Sequence, residues 1–597
     1  MRFSSSALGS LLLGALISWA ASPALADSNL CGHEDHDSPK LRMLAAKRTF
    51  WRSERAHRGP ETVSFKLLGF NDFHGALETL SVGGRPAGGA AVLASYLSAS
   101  SEASDNGALI VHAGDHVGAS PPVSALLQDE PSISFLNLLG NRFCRRWYRA
   151  HPYCNLVGTL GNHEFDEGVD EMLRLIRGGD FVDGPFLDRH YRGASFPYVN
   201  ANVIYSDSER PLIRPYVIKS VGGIKVGVIG AVLRQTPTIV TPSGVAGLTF
   251  LDEADAINQY VAELRRRGVR TIIVTIHQGT RQTSFEGGTP DAPDALGGDI
   301  DDIVRRLSSE VDIVISGHAH GFTNQRVEND EGHPILVTQA FANGTAFSDI
   351  DVVVSQRTGD VVETSASIVT TWADEGPGLT PDARVAKLVS QAAERVAPLI
   401  GQLIGTAQTD ITRAESESGE SALGNLIADA QRDAMGTAVA FMNPGGIRAD
   451  IAEGEVTYGD LFTVQPFNND LVRMDLTGQE IVDLLNQQWA GQPFARVLKT
   501  SGLSYHWSSG DGDPGTLADN SVVPGSVMIG GEPIDLEGEY SVTVNSFMAS
   551  GGDNFTQLTE GRNRVVGPVD LDALILYVSV QPQPFGAEIE DRIVRAD

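Results

Sequence analysis

Five short runs combine aspartate, asparagine and histidine in a way that suits metal chemistry. They read "NDFH" (71–74), "GDH" (114–116), "GNHEFD" (161–166), "IHQG" (276–279) and "GHAH" (317–320). Carboxylate, imidazole and amide oxygen are donors that bind divalent ions such as Zn²⁺ or Mn²⁺. The chain has only 3 cysteines, which argues against a structural zinc site made of thiolates. The runs therefore predict a site for divalent cations.

Each run follows a short apolar segment that is typical of a buried strand. These segments are "KLLGF", "LIVHA", "NLVGTL", "TIIVTI" and "VDIVIS", and they alternate with helix-like segments such as "EADAINQYVAELRRRG" (253–268). The alternation predicts an α/β domain with a largely buried sheet over residues 63–375. In open α/β sheets ligands bind at the carboxyl ends of the strands, so the five runs are expected to meet there.

The spacing within the runs suggests how the side chains converge. Side chains alternate along a strand, so Asp72 with His74, and His318 with His320, are predicted to point the same way. A single histidine or aspartate at a strand end is more often structural, or a turn or helix cap. Five in register offer more ligands than one ion needs, which predicts two ions about 3.5–4 Å apart sharing a carboxylate.

The ordered set of runs resembles the calcineurin-like metallophosphoesterases, and specifically the 5′-nucleotidase / UDP-sugar hydrolase family. The resemblance implies a four-layer αββα sandwich for the N-terminal domain. It implies that one ion is bound by a first set of ligands: Asp72, His74, Asp115 and His320. It implies that the other ion is bound by a second set, with Asp115 as the bridge: Asp115, Asn162, His277 and His318.

The same resemblance assigns the remaining residues of the "GNHEFD" run. It implies that His163 is not a ligand but stabilises charge on the phosphoryl group or the leaving oxygen, with Asp166 orienting it. Glu164 receives no role. His112 and His116 are left out as ligands, because neighbours of a ligand on a strand point the other way.

The C-terminal part changes character after an amphipathic helix. Residues 376–405 are predicted to be a linker helix, and residues 406–597 a second α+β domain. Four segments of it resemble the nucleotide-binding domain of the same family: "ESALGNLIADA", "NPGGIRADI", "VTYGDLFTVQPFNN" and "NSFMASGGDNF". The resemblance implies substrate contacts from five residues: Asn443 to the base, Arg448 to phosphate, Phe467 and Phe547 stacking on the base, and Asp553 to ribose.

Without the resemblance, the sequence alone would favour structural roles for this region. Phe467 and Phe547 would be core residues, as most phenylalanines are, and the neighbouring glycine pairs would be turns.

The chain also departs from the family, because Gly419 stands where relatives often carry a phosphate-binding arginine and Arg413 lies further upstream. Phosphate recognition is therefore predicted to be reduced or rerouted. The longer stretch 127–155 is expected to shape access to the site.

These observations predict an exported phosphohydrolase acting on phosphate esters. It would release phosphate from nucleoside 5′-monophosphates and other nucleotides through attack by a metal-bridging hydroxide, with two divalent ions, Zn or Mn, as cofactors. The alternatives are a 2′,3′-cyclic nucleotide phosphodiesterase, a UDP-sugar hydrolase or a sulfur-compound hydrolase on the same scaffold. A further alternative is a catalytically inactive nucleotide-binding module.

Composition and the N-terminal sequence indicate which partners and which cellular location to expect. A net charge of −30 argues against nucleic acid as a partner, which needs a basic footprint. Residues 1–26 have the features of a signal peptide cleaved after Ala26, followed by a flexible leader over 27–62. We therefore expect a monomer in the periplasm or outside the cell, with no stable membrane anchor. Cys144 and Cys154 are candidates for a short disulfide loop.

Overall fold

A computed structural model describes residues 61–182, 184–291, 295–510 and 513–596. The predicted signal peptide and the predicted leader up to residue 60 lie outside the described residues. The described residues belong to one compact unit. The boundaries assigned above to the two domains and the linker stay predictions.

Short strands dominate the N-terminal half. They are β1 Thr62–Phe70, β2 Leu80–Val82, β3 Arg85–Ala87, β4 Ala108–His112, β5 Leu156–Thr159, β6 Tyr198–Val199, β7 Val203–Tyr205, β8 Tyr216–Val221, β9 Ile224–Val232, β10 Leu248–Phe250, β11 Thr271–His277, β12 Ile313–Ser316, β13 Phe322–Glu328, β14 Pro334–Ala340, β15 Ala346–Ser355 and β16 Val361–Thr370. The central strands are rich in β-branched residues, and β11 is buried at every position.

The helices of this half connect and cover those strands. They are α1 Ala90–Glu102, α2 Pro122–Ala125, α3 Glu130–Leu139, α4 Gly168–Arg177, α5 Thr236–Ile239, α6 Glu253–Arg266, α7 Gly298–Arg306 and α8 Ala383–Ile400. Helix α8 occupies the middle of the predicted linker. It begins where the side chain of Asp382 accepts the backbone N–H groups of Arg384 and Val385.

Two six-stranded sheets pack face to face. Their strand orders are β16-β15-β1-β4-β5-β6 and β13-β14-β12-β11-β9-β8. Leu67 of β1 and Ile273 of β11 lie in the core between the sheets. The next side chain on β1, Leu68, faces one outer helical layer, and Ile272 faces the other. The layers therefore run helix, sheet, sheet, helix, and the predicted αββα sandwich is confirmed.

Parallel pairing brings the strand ends together. In the first sheet β1, β4 and β5 are parallel neighbours. In the second, β9, β11, β12 and β14 are parallel neighbours. The carboxyl ends of each parallel group consequently lie at one edge of its sheet.

The C-terminal half has its own five-stranded sheet, in the order β21-β18-β26-β20-β27. The strands of the whole C-terminal half, including those outside this sheet, are β17 Leu403–Ala407, β18 Val439–Met442, β19 Gly454–Thr457, β20 Asp470–Thr477, β21 Lys499–Ser501, β22 Leu503–Ser509, β23 Asn520–Val522, β24 Met528–Ile529, β25 Glu532–Pro533, β26 Glu539–Asn545, β27 Arg562–Val569 and β28 Ile593–Arg595. Its helices are α9 Ala422–Met435, α10 Tyr458–Val464, α11 Gly478–Asn486, α12 Ser546–Ala549 and α13 Asp570–Val580. Mixed strands and helices confirm the predicted α+β class of this half.

None of the described helices is both long enough and apolar enough to cross a lipid bilayer.

Candidate active site

The seven predicted metal ligands converge on one buried place at the strand ends. Only His277 lies within a strand, because β1 ends at Phe70 and β12 ends at Ser316. Most of the others occupy left-handed turns, a conformation uncommon outside glycine. The residues with positive φ are Asp72 (49°), His74 (47°), Asp115 (48°), His318 (72°) and His320 (50°). Turn geometry, rather than the strand alternation used in the prediction, therefore sets their directions.

The first cluster contains Asp72, His74 and His320. The Nε2 atoms of His74 and His320 lie 3.0 Å apart. The Oδ1 atom of Asp72 lies 3.2 Å from the His320 Nε2 and 4.0 Å from the His74 Nε2. Three donor atoms thus surround one point.

The second cluster contains Asp115, His277 and His318. The Oδ1 atom of Asn162 joins it, at 3.1 Å from both the His277 Nε2 and the His318 Nδ1. The Oδ2 atom of Asp115 lies 2.9 Å from the His277 Nε2. These four residues are the ones that the family resemblance implied as the second ligand set.

Asp115 lies between the two clusters. Its Oδ1 accepts the backbone N–H of His163 at 2.8 Å, which fixes the carboxylate. Its Oδ2 faces His277 at 2.9 Å and His74 at 3.8 Å. One carboxylate oxygen is therefore placed to serve both clusters.

Two histidines have their tautomers set by carbonyl groups behind them. The Nδ1 of His74 lies 2.9 Å from the Gly118 carbonyl oxygen, and the Nδ1 of His277 lies 2.7 Å from that of Ala113. A proton on each Nδ1 leaves the Nε2 lone pair facing the cluster. The Nε2 lone pair of His74 then faces the Nε2 of His320 at 3.0 Å, and a cation between the two rings would be bound by both nitrogens if His320 carries its proton on Nδ1. The donor atoms present therefore fit binuclear divalent metal binding.

The electrostatics of the clusters also favour cations. Burial lowers the pKa of the His74 imidazole to about 3. Burial opposes protonation of His277 as well, but the Asp115 carboxylate raises its pKa to about 9. Burial alone would raise the pKa of Asp115, yet His277 and His163 hold it well below its usual range. The site thus combines ionised carboxylates with a neutral His74 imidazole, whereas His277 must release a proton before its Nε2 can bind a metal.

His163 stands beside the clusters and pairs with Asp166. The Nδ1 of His163 lies 2.7 Å from the Asp166 Oδ2. Burial disfavours the charged ring, but Asp166 and Asp115 raise the pKa of His163 above its ordinary value. Phe467 stacks on the His163 ring with centroids 5.9 Å apart and planes 16° apart. The histidine is therefore held at the mouth of the metal site.

Glu164 has a structural task that the sequence reasoning missed. Its buried carboxylate accepts backbone N–H groups from Asp115 at 2.9 Å and from His116 at 2.8 Å. It also accepts the N–H of Gly161. Glu164 consequently ties the turn that carries Asp115 to the turn that carries Asn162. Burial raises the pKa of Glu164 to about 7.

Gly114 allows these two turns to approach. Its φ is +81°, and a Cβ there would lie 2.7 Å from the Cα of Gly161.

Neither His112 nor His116 belongs to a described metal cluster. His116 instead stacks on Phe73 at 4.9 Å in the core.

A cleft of about 1280 Å³ leads from the metal site to the C-terminal half. All five predicted substrate residues line it: Asn443, Arg448, Phe467, Phe547 and Asp553. Asn162, His163, His318 and His320 line the same cleft. The guanidinium carbon of Arg448 lies 5.8 Å from the centre of the Phe467 ring. The structure thus brings the predicted substrate and metal residues to one cavity.

The far end of the cleft contains a hydrogen-bonded group around Asp553. Asn443 Nδ2 donates to one oxygen of Asp553 at 2.8 Å, and the Nη1 of Arg496 lies 3.3 Å from the other. Asn545 in turn donates to the Oδ1 of Asn443 at 3.0 Å. Arg496 lines the cleft, and sequence reasoning missed it.

The positions of the arginines bear on the prediction that phosphate recognition is reduced or rerouted, which stays a prediction. Neither Gly419 nor Arg413 is among the described residues that line the cleft. The Nη1 of Arg413 donates to the carbonyl of Arg448 at 2.8 Å, so it supports the loop of that arginine. Among the described residues, the arginines that line the cleft are Arg281, Arg448 and Arg496.

The long stretch before Asn162 takes a different place from the one expected. Its beginning, Gln128 and Asp129, lines the cleft, but no described residue between 130 and 161 does. Cys144 and Cys154 form a disulfide. This loop enters β5 at its amino end, whereas the site lies at the carboxyl end. The expectation that the whole stretch shapes access was therefore wrong for most of its length.

Comparison with known proteins agrees with this geometry. Residues 65–322 match the family model of the calcineurin-like phosphoesterases, and residues 400–560 match that of the 5′-nucleotidase C-terminal domain. A cell wall protein of Listeria monocytogenes is 33% identical over 88% of this chain and 68% of its own length. Endonuclease YhcR of Bacillus subtilis is 34% identical over 90% of this chain, which spans only 41% of that relative.

A solved structure extends the likeness to the whole described fold. The 5′-nucleotidase precursor from Thermus thermophilus is 29% identical, with a TM-score of 0.69 and coverage of 89% of this chain and 99% of that one. Fold and site together define a metal-dependent hydrolase of phosphate esters. The chain belongs to the 5′-nucleotidase family, which joins a calcineurin-like phosphoesterase domain to a 5′-nucleotidase C-terminal domain.

Proposed function

We propose that this protein is an exported 5′-nucleotidase that uses two divalent ions, Zn or Mn, to release phosphate from nucleoside 5′-monophosphates. The observation that carries the proposal is the placement of Asp115. One of its oxygens is held by the backbone of His163, and the other faces both histidine clusters. Such a shared carboxylate suits a pair of adjacent cations.

The predicted ligand sets remain our assignment of the two sites. Asp72, His74 and His320 would hold one ion, and Asn162, His277 and His318 the other, with Asp115 shared. Two divalent ions bound there would act as Lewis acids and would make a nucleophile available from water at neutral pH.

The remaining residues of the cleft act on the substrate. His163, whose protonated form is favoured by its pairing with Asp166, donates a proton or hydrogen bond to the phosphoryl or leaving oxygen. Arg448 lines the cleft beside Phe467, where its guanidinium suits bidentate contact with a phosphate. Water exclusion at this mouth is helped by Phe467, which covers one face of His163.

The nucleoside would occupy the part of the cleft that the C-terminal half lines. Phe467 and Phe547 offer aromatic faces to a base. Asp553 would accept hydrogen bonds from ribose hydroxyls, and Asn443 would contact the base. In the structure Asn443 and Asp553 bond to each other, so substrate binding exchanges that bond for contacts with the ligand.

Export as a monomer is part of the proposal, with cleavage after Ala26. The N-terminal sequence supports it, and the disulfide between Cys144 and Cys154 is of a kind that persists in oxidising compartments. Amino-terminal sequencing of the protein from periplasmic and culture fractions tests it. A mature chain that still begins at Met1 would refute this part.

Phosphate release from AMP tests the central proposal. Activity should fall roughly a hundredfold or more after chelation and in Asp115→Ala, and return in the chelated protein when Zn²⁺ or Mn²⁺ is added. Asp207→Ala, at an exposed aspartate, is the matched control. A parallel panel of 2′,3′-cyclic AMP and UDP-glucose separates the alternatives. Undiminished AMP hydrolysis after chelation and in Asp115→Ala would overturn the proposal.

A further inference from the structure

The loop between Cys144 and Cys154 carries aromatic side chains on its outer surface. Trp147 is 80% exposed, Tyr148 50% and Tyr153 55%. Large aromatic rings are usually covered in a folded protein, and a group of exposed ones marks a surface that contacts something else. The Cys144–Cys154 loop is not part of the described cleft.

The same surface is basic within an acidic protein. The chain carries a net charge of −30, yet no aspartate or glutamate occurs between Glu130 and Glu164. Arg142, Arg145 and Arg146 are exposed. In the described part of the chain, no ion pair joins any of these three arginines to a carboxylate. The positive charge of this surface is therefore available to an external partner.

Arg149 of the loop adjoins two arginines from other segments of the chain. Arg149, Arg177 and Arg214 line a small cavity of about 190 Å³. The positive surface therefore continues from the loop onto the adjoining body of the protein.

Hydrogen bonds to neighbouring segments of the chain hold the loop in place. Arg149 donates to the carbonyl oxygens of Ala194 at 2.6 Å and Arg177 at 3.0 Å. The backbone N–H of Ser220 donates to the carbonyl of Pro152 at 2.8 Å. With the disulfide, these bonds fix the loop backbone, so little ordering entropy is lost when it meets a partner.

Some aromatic rings at the loop pack against each other, whereas others point into solvent. Phe143 and His151 stack with centroids 5.1 Å apart and planes 16° apart. Trp147 lies further out, with the guanidinium carbon of Arg145 at 5.3 Å from its ring centre. Aromatic rings and guanidinium groups consequently reach solvent together.

We propose that the Cys144–Cys154 loop, with Arg142, is a peripheral docking surface for a bilayer containing anionic phospholipid. Tryptophan and tyrosine favour the interface between lipid and water. Arginine binds phosphate groups bidentately, and basic residues near an anionic leaflet add attraction. The contact is reversible and distinct from an anchor, because it uses the side chains of a loop rather than an acyl chain or a spanning segment.

The shape of the surface favours a bilayer over a nucleic-acid strand. Strand-binding proteins use a basic groove that follows the backbone. Here four consecutive residues, 145–148, are all exposed, which describes a protruding tip. A flat bilayer accommodates such a tip without a groove.

Docking by this loop leaves the cleft open to solvent. Strand β5 separates the two, with the loop at its amino end and Asn162 just beyond its carboxyl end. At about 3.3 Å per residue the strand alone accounts for roughly 13 Å between them. Activity and lipid binding can therefore be measured independently.

Co-sedimentation of the full mature chain with vesicles tests the proposal. Vesicles of phosphatidylcholine with phosphatidylglycerol should bind the protein, vesicles of phosphatidylcholine alone should bind it much less, and added salt should weaken binding. Arg145→Ser/Arg146→Ser should lower the partition coefficient roughly tenfold or more. Trp147→Ser/Tyr148→Ser should also lower it roughly tenfold, because the interfacial aromatics are lost.

The matched control removes the same charge elsewhere. Arg266→Ser/Arg357→Ser changes two exposed arginines outside the loop and should bind lipid as the parent does. Hydrolysis of p-nitrophenyl phosphate should be unchanged in all variants, which shows that they are folded. The basic residues that precede residue 61 are present in every variant, so a loss is assigned to the loop.

Three results would overturn the proposal. One is equal binding to vesicles with and without phosphatidylglycerol. Another is a loop variant that binds like the Arg266→Ser/Arg357→Ser control. The third is stronger, loop-dependent binding to oligo(dT) than to anionic vesicles, which would assign the surface to nucleic acid.

Discussion

The side chain of Glu164 holds the backbone of Asp115, with 2.9 Å between the Glu164 Oε2 and the Asp115 nitrogen. The two residues are 49 positions apart in the chain. Through this bond a residue outside both sets of candidate ligands fixes the position of the carboxylate that the two clusters share.

Glu164→Gln should weaken metal binding without unfolding the protein. A glutamine turns an N–H₂ group towards one of the backbone donors that the carboxylate now accepts, so the turn carrying Asp115 shifts. We expect the concentration of metal needed for half-maximal activity to rise roughly tenfold to a hundredfold. Metal titration of the chelated protein measures this. Glu209→Gln, at an exposed glutamate, should behave as the parent, and an unaltered metal requirement in Glu164→Gln would contradict the positioning role.

His318→Ala and His320→Ala should each remove a different ion. His318 belongs to the cluster with Asn162 and His277, and His320 to the cluster with Asp72 and His74. Each variant is expected to lose about one of the two bound equivalents, whereas Asp115→Ala should lose both. Elemental analysis of dialysed protein gives the count. Full occupancy in either histidine variant would show that the two sets are wrongly divided.

Arg496→Gln should raise KM for nucleotides more than it lowers kcat. Arg496 lies 3.3 Å from one oxygen of Asp553 and belongs to the part of the cleft lined by the C-terminal half. Loss of the guanidinium leaves a buried carboxylate short of a partner, and we expect KM for AMP to rise roughly tenfold. Hydrolysis of p-nitrophenyl phosphate, which has no nucleoside, should change little. Arg473→Gln, at a less buried arginine beside Asp475, is the control; an equal rise in KM for both substrates would argue against a role in nucleoside binding.

Lys219→Met should stabilise the protein near neutral pH. Burial lowers the pKa of this fully buried lysine from 10.5 to about 7. The unfolded chain therefore binds the proton more tightly, and the folded protein loses stability as the pH falls from about 10 towards 7. Removing the amine should add on the order of 4 kcal/mol near pH 7 and about 1 kcal/mol near pH 10. Thermal unfolding at both pH values measures it, with Lys225→Met at an exposed lysine as control. A gain that is independent of pH would show that packing, not charge, is responsible.

The metal residues were predictable because their types are unusual at the ends of apolar strands. His277 and the pair His318 and His320 could be found in this way, since parallel strands bring their carboxyl ends together. The strand alternation behind the pairs was less sound, because the chain leaves the strand before Asp72 and before His318. The direction of a side chain in a turn depends on backbone angles that sequence spacing does not reveal.

Glu164 and Arg496 escaped prediction for a different reason. Their partners are a backbone N–H group and a carboxylate brought close only by the fold. No local pattern marks such residues. The placement of the Cys144–Cys154 loop, by contrast, could have been found. A segment that precedes a parallel strand lies at the edge opposite to one that follows it, so strand polarity alone separates the loop from Asn162.

The left-handed turns at the metal site carry a consequence for engineering and for evolution. Five candidate ligands adopt a backbone that costs roughly 1 kcal/mol or more apiece outside glycine. Their sum is comparable with the whole margin of stability of an ordinary domain, about 5–15 kcal/mol. Selection for heat resistance alone should therefore favour glycine at these positions and yield robust proteins that no longer turn over substrate. A thermostable variant is better sought in the loops and outer helices, away from the strand ends.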